Sequence, residues 1–307
     1  GMTVNLATRL GSVELPNPVM TASGTAGQST ELARHLDLAS LGAVVTKSLH
    51  VNPWAGNPAP RVHATASGMI NSVGLQGPGV QAWLDQELPA LEAIGARVVA
   101  SIWGRTVEEF TQAAQALASA PPSVVAVEVN ASCPNLEDRT NLFAHSTEAT
   151  SAVVAAAVVA TGRPCWAKLS PNTPLLPDVA DAAAQAGAQA VTVANTLLGM
   201  AIDPETRRPR LGAGRGGLSG PAIRPIAVRA VYDTFAAHPD LPIIGVGGIA
   251  TGEDAVEFLL AGASAVQVGT ATFANPRATQ NVLNELTKWC TAHNVNHLSE
   301  LIGAAHD

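Results

Sequence analysis

Val124-Val125-Ala126-Val127-Glu128-Val129-Asn130-Ala131-Ser132-Cys133-Pro134-Asn135 decides how this chain is read. The β-branched residues of its first half make a buried strand. Pro134 cannot donate to a sheet ladder and biases Cys133 away from helical angles, so the chain leaves the strand there as a loop. A thiol and two carboxamides, Cys133, Asn130 and Asn135, are thereby presented at the C-terminal end of a strand. Barrels and open α/β sheets carry their active sites at that end.

Outward from this stretch, apolar strands and helical patterns alternate in both directions. Toward the C-terminus, a helix over 148–160 precedes Cys165-Trp166-Ala167-Lys168-Leu169-Ser170, and one over 177–186 precedes Ala190-Val191-Thr192-Val193-Ala194-Asn195-Thr196. A helix over 222–237 leads to Ile243-Ile244-Gly245-Val246-Gly247-Gly248, one over 253–261 leads to Ala265-Val266-Gln267-Val268-Gly269-Thr270, and one over 279–293 follows. Toward the N-terminus lie a helix over 107–118, the strand Arg97-Val98-Val99-Ala100-Ser101-Ile102, and a helix over 80–93. Gly42-Ala43-Val44-Val45-Thr46-Lys47-Ser48, a helical pattern over 30–38, and Pro18-Val19-Met20-Thr21-Ala22-Ser23-Gly24 after a short arm complete the set.

Eight strands that each run into a helix imply a parallel sheet, and eight such units in 307 residues imply closure as a (β/α)8 TIM barrel, one α/β domain over residues 1–307. An open doubly wound sheet is the other arrangement this alternation permits. Two segments, 50–79 and 203–220, carry Pro and Gly too often for one regular element. Long loops in a compact domain are usually functional, so these are expected to form a small subdomain over the C-terminal mouth.

With 47% hydrophobic and 13% charged residues, disordered and fibrous classes are excluded. The 17 basic and 24 acidic residues leave a net charge of −7 and no Lys/Arg run, so nucleic acid and anionic membranes are poor partners and a small molecule is favoured. Cys133, Cys165 and Cys290 are widely spaced and show no metal-ligand pattern, which suggests a reducing compartment and no structural metal. Neither a signal-peptide core nor a membrane-length apolar run is present, so a cytoplasmic protein is expected.

Gly247-Gly248 and Gly269-Thr270 end the last two strands, where barrels commonly hold a phosphate on loop amides and a helix N-terminus. Tight βα turns would use the same glycines. Gly216-Gly217-Leu218-Ser219-Gly220-Pro221 adds a third backbone-rich approach, and nothing fits a dinucleotide-fold GxGxxG after the first strand. Lys168 lies inside an apolar strand and calls for an anionic or electron-rich partner, although a lysine at a strand end can also snorkel to water. Lys47 is read the same way. Asn71, Asn130, Asn135 and Asn195 all fall at or near the mouth, and carboxamides suit a planar ligand with alternating N–H and C=O groups. Cys133 is either a buried apolar thiol or, as its flanking Asn, Ser and Pro favour, a loop thiol that can serve as base or nucleophile once partly ionised, whereas Cys165 and Cys290 read as structural.

Together, Ala22-Ser23-Gly24-Thr25, Gly68-Met69-Ile70-Asn71-Ser72-Val73-Gly74-Leu75-Gln76, Asn130 to Asn135, Lys168-Leu169-Ser170-Pro171-Asn172, Asn195-Thr196, the glycine-rich 216–221 run and the two glycine pairs carry a resemblance over nearly the whole chain. The chain resembles the class 1 dihydroorotate dehydrogenases, and within them the NAD-linked class 1B catalytic subunit. That resemblance implies an FMN barrel that oxidises dihydroorotate to orotate in pyrimidine synthesis. It implies Cys133 as the base at ring carbon 5, with a hydride leaving carbon 6 for the flavin. Lys47, Asn71, Ser72, Val73, Gly74, Leu75, Asn130, Asn195 and Thr196 would hold the substrate ring and its carboxylate. Ser23, Lys47, Ser48, Ser101, Asn130, Lys168, Ala194 and Gly220 would contact the flavin, with Gly247, Gly248, Gly269 and Thr270 on its phosphate.

The resemblance further implies a homodimer, joined in class 1B by a subunit carrying FAD and an iron–sulfur cluster into a heterotetramer. Three cysteines cannot supply such a cluster here, so NAD-linked electrons would leave through another chain. Ser101 stands where many relatives have an asparagine facing the flavin, and Trp103 where a small residue is usual. The loop Leu136-Glu137-Asp138-Arg139-Thr140 lacks the usual glycines. Two other readings remain open: a dihydropyrimidine dehydrogenase-like reaction on a related ring, and a catalytically silent flavin-binding subunit.

Overall fold

Eight short parallel strands form the centre of the molecule: β1 Val19–Thr21, β2 Val44–Val45, β3 Val98–Ile102, β4 Val124–Asn130, β5 Cys165–Leu169, β6 Ala190–Val193, β7 Ile243–Val246 and β8 Ala265–Val268. The structure is a computed structural model describing residues 3–72, 74–132 and 146–306. Strands β2 to β8 pair in chain order and β8 pairs with β1. A Met20–Ala43 bridge closes the ring, with Gly42 N–H on Val19 O at 2.8 Å and Val45 N–H on Thr21 Oγ1 at 2.9 Å. The result is the expected (β/α)8 barrel, so the open sheet is set aside.

Helices Val107–Ala116, Thr147–Thr161, Leu176–Gln185, Arg224–Ala237, Gly252–Ala261 and Ala278–Ala292 surround the barrel. Several start where the sequence supplies a cap. Thr106 and Ser146 each accept a backbone N–H in the first turn, and Thr251 with Asp254 forms a reciprocal capping box. Their apolar faces, such as Phe110, Val153, Val179, Phe258 and Leu286, pack against outward-facing strand residues such as Val98, Val127, Leu169 and Val266 in one continuous shell. None of the described helices is long and apolar enough to cross a membrane.

A second, smaller core fills the barrel's lower half. Leu10, Val13 and Leu15 pack there with Met20, Val45, Val99, Trp166 and Ile244. The first three come from a hairpin, Thr8–Leu10 with Val13–Leu15, in the segment expected to be only an arm. Gly11 turns it at φ +64°, a conformation costly for any residue with a Cβ. Strands this short leave too little alternation to be read locally.

The two long excursions also hold regular structure. Val62–Thr65 and Gly68–Asn71 of the first, Arg215–Ser219 of the second, and Leu197–Met200 just before the second make a four-stranded antiparallel sheet, in which Asn71, Ile70 and Met69 pair with Gly217, Leu218 and Ser219. The small subdomain is therefore a sheet shared by both segments. Glycine has low β-propensity, which hid the three of these strands that contain it.

Two helical expectations need correction. Residues 30–38 form successive turns and a 3₁₀ turn, Leu38–Ser40, in place of a helix. Glu31 takes the backbone N–H groups of Gln28 and Ser29, and Trp83 Nε1 and Ser29 Oγ tie this stretch to the next unit. The helix expected over 80–93 is interrupted by a π segment, Trp83–Glu87. Pro89 has no N–H for the fourth preceding carbonyl and its ring crowds it, so the turn before it widens.

Candidate active site

The barrel interior turns polar toward the C-terminal ends of the strands. Its first polar layer is fully buried: the Glu128 Oε2 atom accepts from Thr192 Oγ1 and from Gln267 Nε2, each at 3.0 Å. The Oε1 atom of Glu128 and that of Gln267 are buried without a partner among the described residues. Glu128 carries the same signal in the sequence as Lys168, a charged residue inside an apolar strand.

Above this layer runs a chain of hydroxyls and carboxamides. Ser23 Oγ lies 3.2 Å from Ser48 Oγ, Ser48 Oγ lies 2.7 Å from Ser101 Oγ, and Asn130 Nδ2 donates to Ser48 at 3.0 Å. Ser132 Oγ donates to Asn130 Oδ1 and accepts from Asn195 Nδ2, while Thr196 N–H donates to Asn195 Oδ1 at 2.7 Å. Asn172 Nδ2 extends the chain from Thr196 O, at 3.2 Å, to Ser170 Oγ, at 2.8 Å. Residues at or just beyond the C-terminal ends of β1 to β6 are thus linked around one opening. Ser101 stays in this circuit with a hydroxyl. Ser132, Ser170 and Asn172 have no role in the sequence reading, although each lies in a motif it quotes.

Lys168 sits beside this chain on β5, level with Asn130 on one neighbour and Thr192 on the other. It is 5% exposed, and among the described residues no acceptor lies within hydrogen-bond distance of its ammonium. A lysine this deeply set among strand residues calls for an electron-rich partner. Burial, and secondarily the positive charge of Arg61, pull the Lys47 ammonium below its ordinary value. Arg61, which the sequence reading passed over, thus adds to a cationic mouth.

The glycines converge on the other side of the opening. Gly220 has φ +96°, Gly247 +139° and Gly248 +74°. A Cβ on Gly248 would lie 2.7 Å from Gly220 O, one on Gly247 2.7 Å from Ala227 Cβ, and one on Gly220 2.9 Å from Gly68 Cα. Bare backbone is therefore enforced there. Gly269 differs, since an added Cβ would make only ordinary contact with Ala22 at 3.4 Å. Thr270 Oγ1 donates to Ser219 Oγ at 2.6 Å and joins β8 to the roof. Residues 5–289 match the family described as dihydroorotate dehydrogenase.

This chain belongs to the dihydroorotate dehydrogenase family. It is 48% identical over 305 residues to a protein of Desulforudis audaxviator named dihydroorotate dehydrogenase B (NAD(+)), catalytic subunit, covering 99% of each chain. Proteins with the same name from Trichlorobacter lovleyi and Alkaliphilus metalliredigens are 45% and 44% identical, over 97% and 98% of this chain and 98% and 99% of theirs.

The dihydroorotate dehydrogenase fold also brings the roof to the ring. Asn71 Nδ2 donates to Gly217 O at 3.4 Å, and a Cβ on Gly217 would lie 2.0 Å from Thr196 Oγ1. Gly217 is what allows the two to meet. Ser72 is 8% exposed with its Oγ unpartnered among the described residues, Gly74 has φ +73°, and Leu75 holds φ +60°, uncommon for a residue with a side chain. Such outliers cluster at ligand clamps. Ala194 is buried at the end of β6. Cys133, Val73 and Asn135 lie outside the described residues. Cys165 is buried and its thiol is pushed up to about 12 by burial, in keeping with a structural role.

Proposed function

We propose that the chain is the FMN-dependent catalytic subunit that oxidises (S)-dihydroorotate to orotate in pyrimidine synthesis. The observation that carries this reading is one opening that combines a buried lysine with no partner among the described residues, a chain of carboxamides and hydroxyls, and glycines that admit no Cβ. These residues fit a flavin mononucleotide: cationic and neutral donors for its ring, and bare backbone for its phosphate. Ser23, Lys47, Ser48, Ser101, Asn130, Lys168, Ala194 and Gly220 would hold the ring system, and Gly247, Gly248, Gly269 and Thr270 the phosphate. When bound, the flavin supplies the acceptor for the hydride that leaves ring carbon 6.

The chain's own residues do the remaining work. Cys133 takes the proton from ring carbon 5 as a thiolate base. Asn71, Asn130, Asn195 and Thr196 orient the substrate's amides, and Lys47 with the 72–75 segment receives its carboxylate. Lys168 would supply a fixed positive charge beside the flavin ring, able to stabilise negative charge there. The names of the relatives support a partner subunit, which we take to carry FAD and an iron–sulfur cluster, with a homodimer of this chain at the centre of a heterotetramer.

Anaerobic visible spectroscopy tests the reading. The purified chain is expected to show flavin bands that bleach with dihydroorotate and recover only with a reconstituted partner and NAD. Bleaching by dihydrouracil alone would establish the related-ring reaction instead, and a flavin that no dihydropyrimidine reduces would leave a silent subunit. Recovery with fumarate alone would move the protein out of the NAD-linked class.

A further inference from the structure

The excursion that carries Asn71 to Leu75 leaves the barrel through a narrow neck. Leu49 bridges Ile102, Trp103 N–H donates to Leu49 O at 3.0 Å, and the returning chain is caught where Val80 N–H donates to His50 O at 2.9 Å. Trp54 and Gly77 exchange two backbone hydrogen bonds, at 2.9 and 3.0 Å, which close the loop above that point. Three rings fill the neck. His50 lies 4.8 Å from Trp103 and 5.1 Å from Trp54, and the two indoles meet edge to face at 5.1 Å.

The cluster is anchored to the barrel's third helix unit. His50 Nε2 faces Glu109 Oε1 at 2.9 Å while its Nδ1 accepts from Asn52 N–H at 3.0 Å, so the imidazole is held at both nitrogens. Glu109 also accepts from Arg105 through its backbone N–H at 2.9 Å and its guanidinium at 3.0 Å. The same guanidinium lies 4.9 Å over the Trp54 ring.

Beyond the neck, Arg61 carries rigidity to the segment that faces the opening. Its guanidinium donates to Asn57 O at 2.8 Å, Ala55 O at 3.2 Å and Gln76 Oε1, and its own carbonyl receives Ser72 N–H at 2.7 Å. A shift of Trp54 therefore reaches Ser72 and Gln76 through a few hydrogen bonds.

We propose that Trp103 is a positioning residue: with His50 and Trp54 it clamps the neck of the excursion, and the clamp sets how firmly Asn71, Ser72 and Gly74 to Gln76 are held over the substrate. The proposal rests on reading that excursion as the cover of the dihydroorotate site. It accounts for a tryptophan standing where the family resemblance leads one to expect a small residue. Ring–ring contacts of this kind are directional, so they fix an angle between the neck and the barrel that aliphatic packing would leave loose.

The test uses the flavin-loaded chain and two readouts. In Trp103→Ala the KM for dihydroorotate is expected to rise roughly tenfold while kcat at saturation and flavin content hold, as for loss of one or two ring contacts. Amides of 71–76 should exchange deuterium faster without substrate, and Trp103→Phe should restore both properties. Should Trp103→Ala fail to fold, Glu109→Gln releases His50 without opening a cavity and is expected to give the same split. Unchanged exchange over 71–76 in a folded variant overturns the clamp, and so does a parallel loss of kcat, flavin and stability. If the wild-type chain does not oxidise dihydroorotate, the activity reading fails while the exchange measurement still decides the clamp.

Discussion

The two halves of the same barrel interior are built on opposite principles. The floor is filled by Leu10, Val13, Leu15, Met20, Val45, Val99, Trp166 and Ile244, all buried and none able to titrate. Burying one such aliphatic side chain stabilises by about 1.5–3 kcal/mol, and the hairpin that delivers the first three seals the barrel against water. The mouth holds Ser48, Ser101, Asn130, Ser132 and Lys168 in the same kind of inward-facing position, with Glu128, Thr192 and Gln267 as a fully buried seam beneath. One strand carries both characters, since β5 places Trp166 in the floor and Lys168 at the mouth two residues later. Apolar packing and a polar lining are therefore separable along a single strand.

The sharpest break of that comparison comes from the mouth. Cys133→Ser is expected to keep flavin and melting temperature and to lose about 10²–10⁴ of turnover at neutral pH, because a hydroxyl is a far poorer base than a thiol. Full turnover in stopped-flow bleaching would place the base elsewhere. The converse variant is Trp166→Ala, which should cost about 3–5 kcal/mol in urea unfolding, as an indole deleted from a sealed core leaves a cavity. A loss under 1 kcal/mol would mean that the floor is not where the barrel is held together.

Smaller effects refine the boundary. Gly248→Ala forces a left-handed residue to carry a Cβ that would lie 2.7 Å from Gly220 O. It should cost about 1–2 kcal/mol of stability and weaken flavin binding in fluorescence titration, with riboflavin binding much less affected if the cradle serves a phosphate. The least effect is electrostatic. Burial alone pushes the Glu109 carboxyl up, yet hydrogen bonds from Arg105 and His50 outweigh it and hold the group at about 2 against an ordinary 4.5. A carboxylate depressed on folding stabilises above its ordinary value and loses that contribution as pH falls from 4.5 toward about 2. The stability gap between wild type and Glu109→Gln should accordingly narrow between pH 6 and pH 3, whereas the cost of Trp166→Ala should not change with pH.

Much of the architecture was legible because it is local. A run such as Val124 to Val127 can only be a buried strand, and Thr106, Ser146 and Thr251 mark helix starts within a residue or two. The position of Lys168, Asn130 and Asn195 at strand ends was legible for the same reason, since a strand's direction fixes which end faces the mouth. The expected helix over 30–38 failed because Glu31, Trp83 and Ser29 make tertiary hydrogen bonds that compete with helical ones. Ser132 went unread because its role depends on Asn195, 63 residues away.

Sequence by itself determined the alternation of strands and helices, hence the parallel sheet, and it placed cations, carboxamides and glycines at the strands' C-terminal ends. Tertiary structure alone decided that the ring closes at Met20 and Ala43, that a hairpin seals the floor, that two glycine-rich excursions share one sheet, and that Trp103 meets His50 and Trp54. The division has one cause. Periodicity and capping act between residues a few positions apart, whereas these contacts join segments brought together only when barrel closure supplies the distance and angle between them.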